Sequence, residues 1–363
     1  MPEAKTKSKV YFIPVDNSTK QEEAVLRLEV LLKKSGFLDL IASGDKVAVK
    51  LHFGEQGNTG YVRPEYLRVI CDQVKDRNAL VFLADTNTLY RGKRTNSKDH
   101  LKLAYSHGFI PDKVNAEVLI PDDTRKEQVQ DVVIDQKFIK TAKIARIFWD
   151  ADVIIGVAHF KGHIMTGFGG ALKNLGMGCA TREGKLAQHS DVSPFVIASN
   201  CVGCKACEKA CPAQAVVIKN KKSIINSAKC IGCASCIAAC KYNAIEINWE
   251  AGGRDIQQKM IEHAKAVLEN KKDKEVFINF CLKITQECDC LAQDDPRIAP
   301  DVGILVSTDP VSIDKASFDL VNAAAGKDVF KQAHPNRDGM IQLNYARELG
   351  LGSLDYDLIL LTP

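Results

Sequence analysis

Short apolar runs alternate along the chain with longer stretches in which apolar residues recur every three or four positions. KVYFIPV at 9–15, KVAVKLHF at 46–53, ALVFLADT at 79–86 and ADVIIGVAHF at 151–160 read as strands. EVFINFC at 275–281, VGILVST at 302–308 and DYDLILL at 355–361 read the same way, and AEVLIPDD and QVQDVVI suggest two more. Helices are expected between them. The first starts from a cap at Ser18 or Thr19 and stops at Gly36, whose glycine suits the residue after a helix. Others are expected from Pro64 to about Arg77, and over 97–107, 141–147, 254–270 and 313–325. Strands alternating with helices predict an α/β fold: a mostly parallel sheet with helices on both faces.

One stretch breaks this pattern. Over 199–248, Cys201, Cys204, Cys207 and Cys211 stand as C-x2-C-x2-C-x3-C, and Cys230, Cys233, Cys236 and Cys240 repeat the spacing. Eight of the thirteen cysteines fall here, in two copies of one unit, CVGCKACEKACPAQAVVI and CIGCASCIAACKYNAIEI. This is the spacing of a bacterial-type ferredoxin with two [4Fe-4S] clusters, in which the fourth cysteine of each run serves the other cluster. Cys201, Cys204, Cys207 and Cys240 are therefore assigned to one cluster, and Cys230, Cys233, Cys236 and Cys211 to the second. Gly203 and Gly232 are expected to let the backbone approach the inorganic cores, and AVVI and AIEI to form short strands. Lys241 stands where the first run has Pro212. Zinc and disulfides are the other uses of such thiols. Zinc takes four ligands per site and can use C-x2-C pairs, but it does not account for two complete runs, and nothing marks the chain as secreted.

The α/β pattern resumes after this stretch. The organisation expected is a first α/β part over 1–198, an inserted ferredoxin module over 199–248, and a second α/β part over 249–363. Composition changes the picture little. The formal charge of +4 treats every cysteine as neutral, the lysines are scattered, and Lys219, Lys221 and Lys222 suit a solvated hairpin. No nucleic-acid partner is expected. No run approaches the ~18 apolar residues of a membrane span, and the polar MPEAKTKSKV start shows no signal sequence. No membrane partner and a cytoplasmic location are the corresponding expectations.

Ligands of parallel α/β sheets bind outside the carboxyl ends of the strands, and polar residues gather at those ends here. His52 and Glu55, Asp85 and Asn87, His159 with Lys161 and His163, Cys281, and Thr308 with Asp309 each follow a strand. Capping and turn formation is the competing explanation for each, and suits Asp309 and Asp314 well. The densest stretch is HFKGHIMTGFGGALKNLGMGCATREGKLAQH, 159–189. His159, Lys161, His163, Lys173 and His189 are the candidate catalytic residues, the histidines binding a metal or moving protons. The glycines can expose backbone amides to a small anionic ligand paired with Lys161, Lys173 and Lys185; close packing is their other use. Cys281, Cys288 and Cys290, with Cys179 near them, form a candidate third metal or cluster site, with free thiols as the alternative. Cys71, alone on a helix, is expected in the core.

HFGEQGNTGYVRPE, LADTNTLYRG, HFKGH, GFGGALKNLGMGCATREGK, QHS, CDC and TDPVSID together resemble the iron–sulfur members of the domain of unknown function 362 family, over about 45–320. The resemblance implies cluster binding and a shared α/β domain, and no particular reaction. The function expected is an iron–sulfur redox protein that relays electrons, with a redox partner protein, to or from a ligand or metal site at the strand ends. The alternatives are a non-enzymatic electron carrier or cluster-handling protein with a structural α/β shell, and a regulatory binder that senses redox state.

Overall fold

The computed structural model describes residues 7–89, 92–189, 194–211, 213–230, 235–246 and 255–362. Gly232, Cys233 and Pro212 lie outside the described residues.

Eight strands form the central sheet, in the spatial order Tyr356–Leu360, Ser8–Pro14, Gly303–Ser307, Glu275–Cys281, Val153–His159, Lys46–Lys50, Leu80–Ala84, Glu117–Leu119. Only Gly303–Ser307 runs against its neighbours; every other pairing is parallel. The central strand Val153–His159 is buried at every position, as expected where helices cover both faces of a parallel sheet. Alternate side chains feed two apolar cores. Ala48, Ile154, Phe277 and Leu305 join one, with the helices Ala171–Gly176, Ile256–Leu268 and Pro310–Ala325. Val49, Ile155, Ile278 and Val306 join the other, with Gln21–Ser35 and Pro64–Lys75.

Local chemistry departs from expectation in three places. Ser18 and Thr19 do not cap the first helix. Their amides donate to Asp16 in a tight turn, and the helix begins at Gln21 after Lys20, which lends no side chain. Its end at Gly36 is as expected, with φ at +69°. Residues 141–147 are not a helix. Thr141–Ala145 pairs with Val129–Val133, and Ala142 and Ile144 are buried on either side of Lys143, the period of a strand. Arg146–Trp149 alone is a helical turn. Third, Gly303–Ser307 is antiparallel, so its carboxyl end, with Thr308 and Asp309, lies at the opposite edge of the sheet from His159. Asp309 there caps Pro310–Ala325, accepting from the Val311 and Ser312 amides at 2.8 Å.

The cysteine-rich stretch builds its own small elements. The helices Ala206–Ala210 and Ser235–Ala239 pack together. Val216–Lys219 turns back on Lys222–Ile225, and Phe195–Val196 pairs with Ile245–Glu246. Their interior is Cys201, Cys207, Cys236 and Cys240 with Val216, Ile237, Ala244 and Ile245, resting on Leu89 and Leu186 of the larger body.

Candidate functional site

Four strands that share a direction deliver His52, Asp85, His159 and Cys281 to one edge of the sheet. The 282–297 loop lies across that edge. Its Thr285 carbonyl accepts from the Gly162 amide at 2.9 Å, and its Asp289 carbonyl accepts from Glu55 at 2.9 Å. This brings Cys288, Asp289 and Cys290 onto HFKGH.

His159 is held on both sides. Nδ1 lies 2.9 Å from Asp289 Oδ1, and Nε2 lies 2.9 Å from the Leu282 carbonyl. An acceptor thus stands at each ring nitrogen, and the ring's orientation is fixed from both sides. Burial raises the Asp289 carboxyl, but His159 and Lys161 outweigh it and hold it well below the usual carboxylate range. Lys161 donates to the His159 carbonyl at 2.8 Å and stands 3.7 Å from Asp289.

His163, Cys288 and Cys290 each bring one donor atom within 4.8 Å of the others, a group close enough to be compatible with metal binding. His163 Nδ1 accepts from the Met165 and Thr166 amides at 3.1 and 3.2 Å. Burial and the Lys173 charge bring the ring down to about 4, so it is neutral. Lys173 Nζ lies 3.5 Å from Cys288 Sγ. A hydrogen bond from Cys290 and the charge of Lys173 outweigh burial and hold the Cys288 thiol well below its ordinary value, whereas sharing that hydrogen bond pushes Cys290 up. Within the pair the thiolate form is favoured at Cys288 over Cys290. Burial disfavours the Lys173 charge, yet the two sulfurs outweigh it and raise that group. His189 ends the helix Arg182–His189; burial, then His163, brings it down to about 3.

Cys281 and Cys179 stand apart from this group. Cys281 points into the apolar core beside Ser317, and burial pushes it up to about 12. Cys179 lies in the same core, also at about 12 for the same reason, and Cys71 is buried on the other face. Strand-end position alone does not say to which face a side chain turns, and Cys281 turns to the core.

The glycines and lysines expected to hold an anion are engaged by the protein. A Cβ at Gly162 would overlap the Gln286 carbonyl, at Gly170 the Asp314 carboxylate, at Gly176 the Met260 carbonyl, and at Gly178 the Asn174 carbonyl and Lys50. Close packing explains them. Lys161 and Lys173 serve Asp289 and Cys288, and Lys185 donates to Thr86 and the Asn87 carbonyl.

A second buried network, outside the candidate residues, adjoins the first. Lys50 pairs with Asp85 at 3.0 Å, Arg94 with Glu55 at 3.2 Å, and Arg94 with His52 at 2.7 Å; His100 lies 3.6 Å from Asp85. Burial raises Asp85, but Lys50 and its neighbours overcome it and lower the group strongly. Burial brings His100 down to about 3. A lysine in the middle of KVAVKLHF was the available signal for Lys50. Asp314 is a second case: from within its own helix it accepts from the Ala171 and Leu172 amides at 2.7 and 2.9 Å, capping Ala171–Gly176. Nothing local to its sequence marks that.

In the cysteine-rich unit, Cys201, Cys204, Cys207 and Cys240 line one cavity with Val202, Gly203 and Tyr242. Cys240 comes from the second run. Backbone amides donate to three sulfurs: Ser223 to Cys201 at 3.3 Å, Ala215 to Cys211 at 3.2 Å, Ala244 to Cys240 at 3.3 Å. The last two repeat at the same offset in the two copies, and each is preceded by a residue with positive φ, Gln214 and Asn243. Gly203 has φ +69°, and a Cβ there would meet the Lys221 carbonyl, so the hairpin turn also requires its glycine. Cys236 is buried, and Cys211 and Cys230 are half-buried.

Fold and site together define a mixed α/β protein with a mostly parallel eight-stranded sheet and a cysteine-lined unit suited to metal. No described helix is long and apolar enough to cross a membrane. The chain belongs to the family described as domain of unknown function (DUF362), which matches residues 47–319. No curated protein matches it. Among solved structures it is similar to the lactate racemase apoprotein from Thermoanaerobacterium thermosaccharolyticum, at 14% identity and a TM-score of 0.39, over 70% of this chain and 49% of that one. It is also similar to a structural-genomics target from Thermotoga maritima, at 12% identity and a TM-score of 0.43, over 86% of this chain and 61% of that one. The chain thus spans about half the length of the first and about three fifths of the second.

Proposed function

We propose that the protein is an iron–sulfur redox protein holding two [4Fe-4S] clusters in the unit at 199–248, inserted between the two α/β parts, and exchanging electrons between a partner protein and the sheet-edge site. The observation that carries this reading is the cavity shared by Cys201, Cys204, Cys207 and Cys240. Three cysteines of one run beside the last of the other is the grouping that crossed ligation in two-cluster ferredoxins would need. The amides directed at Cys201, Cys211 and Cys240 support it, because such donors stabilise a thiolate more than a thiol. The clusters, when bound, supply one-electron transfer; the chain supplies the thiolates, the N–H donors and the apolar wall of Val216, Ile237 and Ile245. Cys230, Cys233, Cys236 and Cys211 would serve the second cluster.

Anaerobically prepared protein should carry about eight iron and about eight acid-labile sulfides per chain. Cys240→Ser and Cys211→Ser should each lose one cluster, and a different one, seen as separate paramagnetic signals. Zinc with no sulfide in protected material would remove the proposal.

The packed glycines and the closed pairing of His159 with Asp289 favour a second reading, in which the α/β body is only a shell and the protein carries electrons between partners. Rapid reduction of a small disulfide that is lost on changing the sheet-edge residues would exclude it; electron transfer to a partner that ignores them would favour it.

A further inference from the structure

The sheet edge was expected to hold a metal, and the hydrogen bonds at His163 argue for different chemistry. A metal-bound histidine ordinarily donates its second N–H to an acceptor. Here the arrangement is reversed: Nδ1 accepts two backbone amides, so the proton of the neutral ring sits on Nε2, which then has no lone pair for an ion. What remains is an N–H donor, a buried ammonium 3.5 Å from Cys288, and two thiols one residue apart. Lys173 and Lys161 stand on the cationic side of the pair with Arg94, neutral His52 lies beside it, and Glu287 and Asp289 are the anionic neighbours. Cys288 is buried, and Cys290 beside it is half-buried. Donors arranged around a sulfur stabilise a thiolate, the form that attacks disulfides.

We propose that Cys288 and Cys290 are a redox-active dithiol pair that reduces disulfide-class substrates, with Lys173 and His163 as positioning residues for the thiolate. One sulfur of the pair attacks a substrate disulfide R–S–S–R′, forming a mixed disulfide and releasing R′–S−. The other then attacks the first, releasing R–S− and leaving the Cys288–Cys290 disulfide. The pair returns to two thiols by taking up two electrons and two protons, the electrons coming one at a time from a reduced one-electron donor protein. The proposal rests on the electron-transfer reading only for that supply.

The test uses the full-length protein prepared anaerobically. It is equilibrated in glutathione buffers from fully reduced to fully oxidised, trapped with N-ethylmaleimide and cut with trypsin. The 284–297 peptide, released after Lys283 and Arg297, contains both thiols and no other cysteine. Its reduced form should carry two N-ethylmaleimide groups and its oxidised form none, at a mass two hydrogens below the free dithiol, over a two-electron titration fully reversed by dithiothreitol, and not in Cys290→Ser. Lys173→Met should move the pH profile of iodoacetamide labelling of this peptide upward, by about tenfold in rate per pKa unit at pH values below the thiol's midpoint; Lys173→Arg should restore it. A peptide that takes up two N-ethylmaleimide groups at every buffer composition overturns the proposal, as does a third metal equivalent lost in Cys288→Ser/Cys290→Ser. An unchanged labelling profile in Lys173→Met overturns the role of the lysine. The peptide lies outside both cysteine runs, so a protein without iron or sulfide would still report on the pair and would count only against the cluster reading.

Discussion

The sheet body and the cysteine-rich unit fill their interiors in different ways. The sheet is covered on both faces by aliphatic and aromatic side chains, and its buried polar groups close on one another: Lys50 with Asp85, Arg94 with Glu55, His159 with Asp289. Burial of that apolar area supplies its stability. The unit at 195–246 has a small interior in which Cys201, Cys207, Cys236 and Cys240 hold central places. If, as proposed, these sulfurs ligate metal, they complete a core only with it, so the unit should fold with its metal while the sheet folds by itself.

The largest effect that separates the two is loss of the metal. Chelation under protected conditions, or Cys201→Ser, should abolish amide protection across Val216–Lys219 and Lys222–Ile225 and leave Val153–His159 and Glu275–Cys281 protected, as read by hydrogen exchange. Equal loss in both regions would mean that they form one cooperative unit, and the contrast would fail. The converse change is Phe277→Ala, which empties a fully buried position in the sheet core. It should cost about 3–5 kcal/mol and lower the melting temperature of the sheet body, with iron and sulfide content per folded chain unchanged.

The same contrast explains what the sequence revealed. The strands declared themselves because central parallel strands are continuous apolar runs; the cysteine runs stood out by their repeated spacing, from which the proposed clusters are read. Gln21–Ser35 ends at Gly36 and Pro64–Lys75 begins at its proline, both for backbone reasons visible in one residue. The direction of Gly303–Ser307 was not visible, since an antiparallel strand has the same composition as its neighbours; Asp309 was therefore placed at the wrong edge. Cys281 ends a strand and turns into the core, whereas Cys288 comes from the loop that crosses the strand ends, and neither direction is written in the local sequence. Lys50, Arg94 and His100 converge from three separate segments, which is a tertiary property. The glycines of 159–189 exposed the commonest ambiguity: they signal close approach, and here the approaching groups are Gln286, Asp314 and Met260 of the same chain.

A smaller effect probes the closed charges of the sheet. Burial pushes Lys185 down to about 7, although Asp85 and Asp123 pull the other way. Between pH 7 and the unfolded value of about 10.4 the unfolded lysine is protonated and the folded one neutral, so unfolding takes up a proton and stability rises with pH. Below that window both forms are charged, and above it both are neutral. Lys185→Met should therefore flatten the rise in stability between pH 7 and pH 10 by about one proton's worth of slope, measured by urea unfolding at several pH values. An unaltered slope would mean that Lys185 stays charged in the folded protein.

The smallest effect concerns the edge that the site does not use. Asp309 caps Pro310–Ala325 and also accepts from Ser8 Oγ at 2.6 Å and the Ser353 amide at 2.8 Å. Asp309→Ala removes these acceptors and should cost about 1 kcal/mol, the usual size of a lost cap, rising somewhat because the Ser353 amide also loses its partner. Its carboxylate stands at the amino-terminal edge of the parallel strands, on the far side of the sheet from Cys288 and from the cysteine-rich unit. Labelling of the 284–297 peptide and iron content should therefore match the parent protein while the unfolding midpoint falls. A change in thiol reactivity in this variant would show that the two edges communicate through Pro310–Ala325, whose Asp314 reaches Ala171 and Leu172 beside Lys173. The sheet body would then be an active part of the redox site, and the division into a self-sufficient scaffold and a metal-dependent unit would have to be redrawn along that helix.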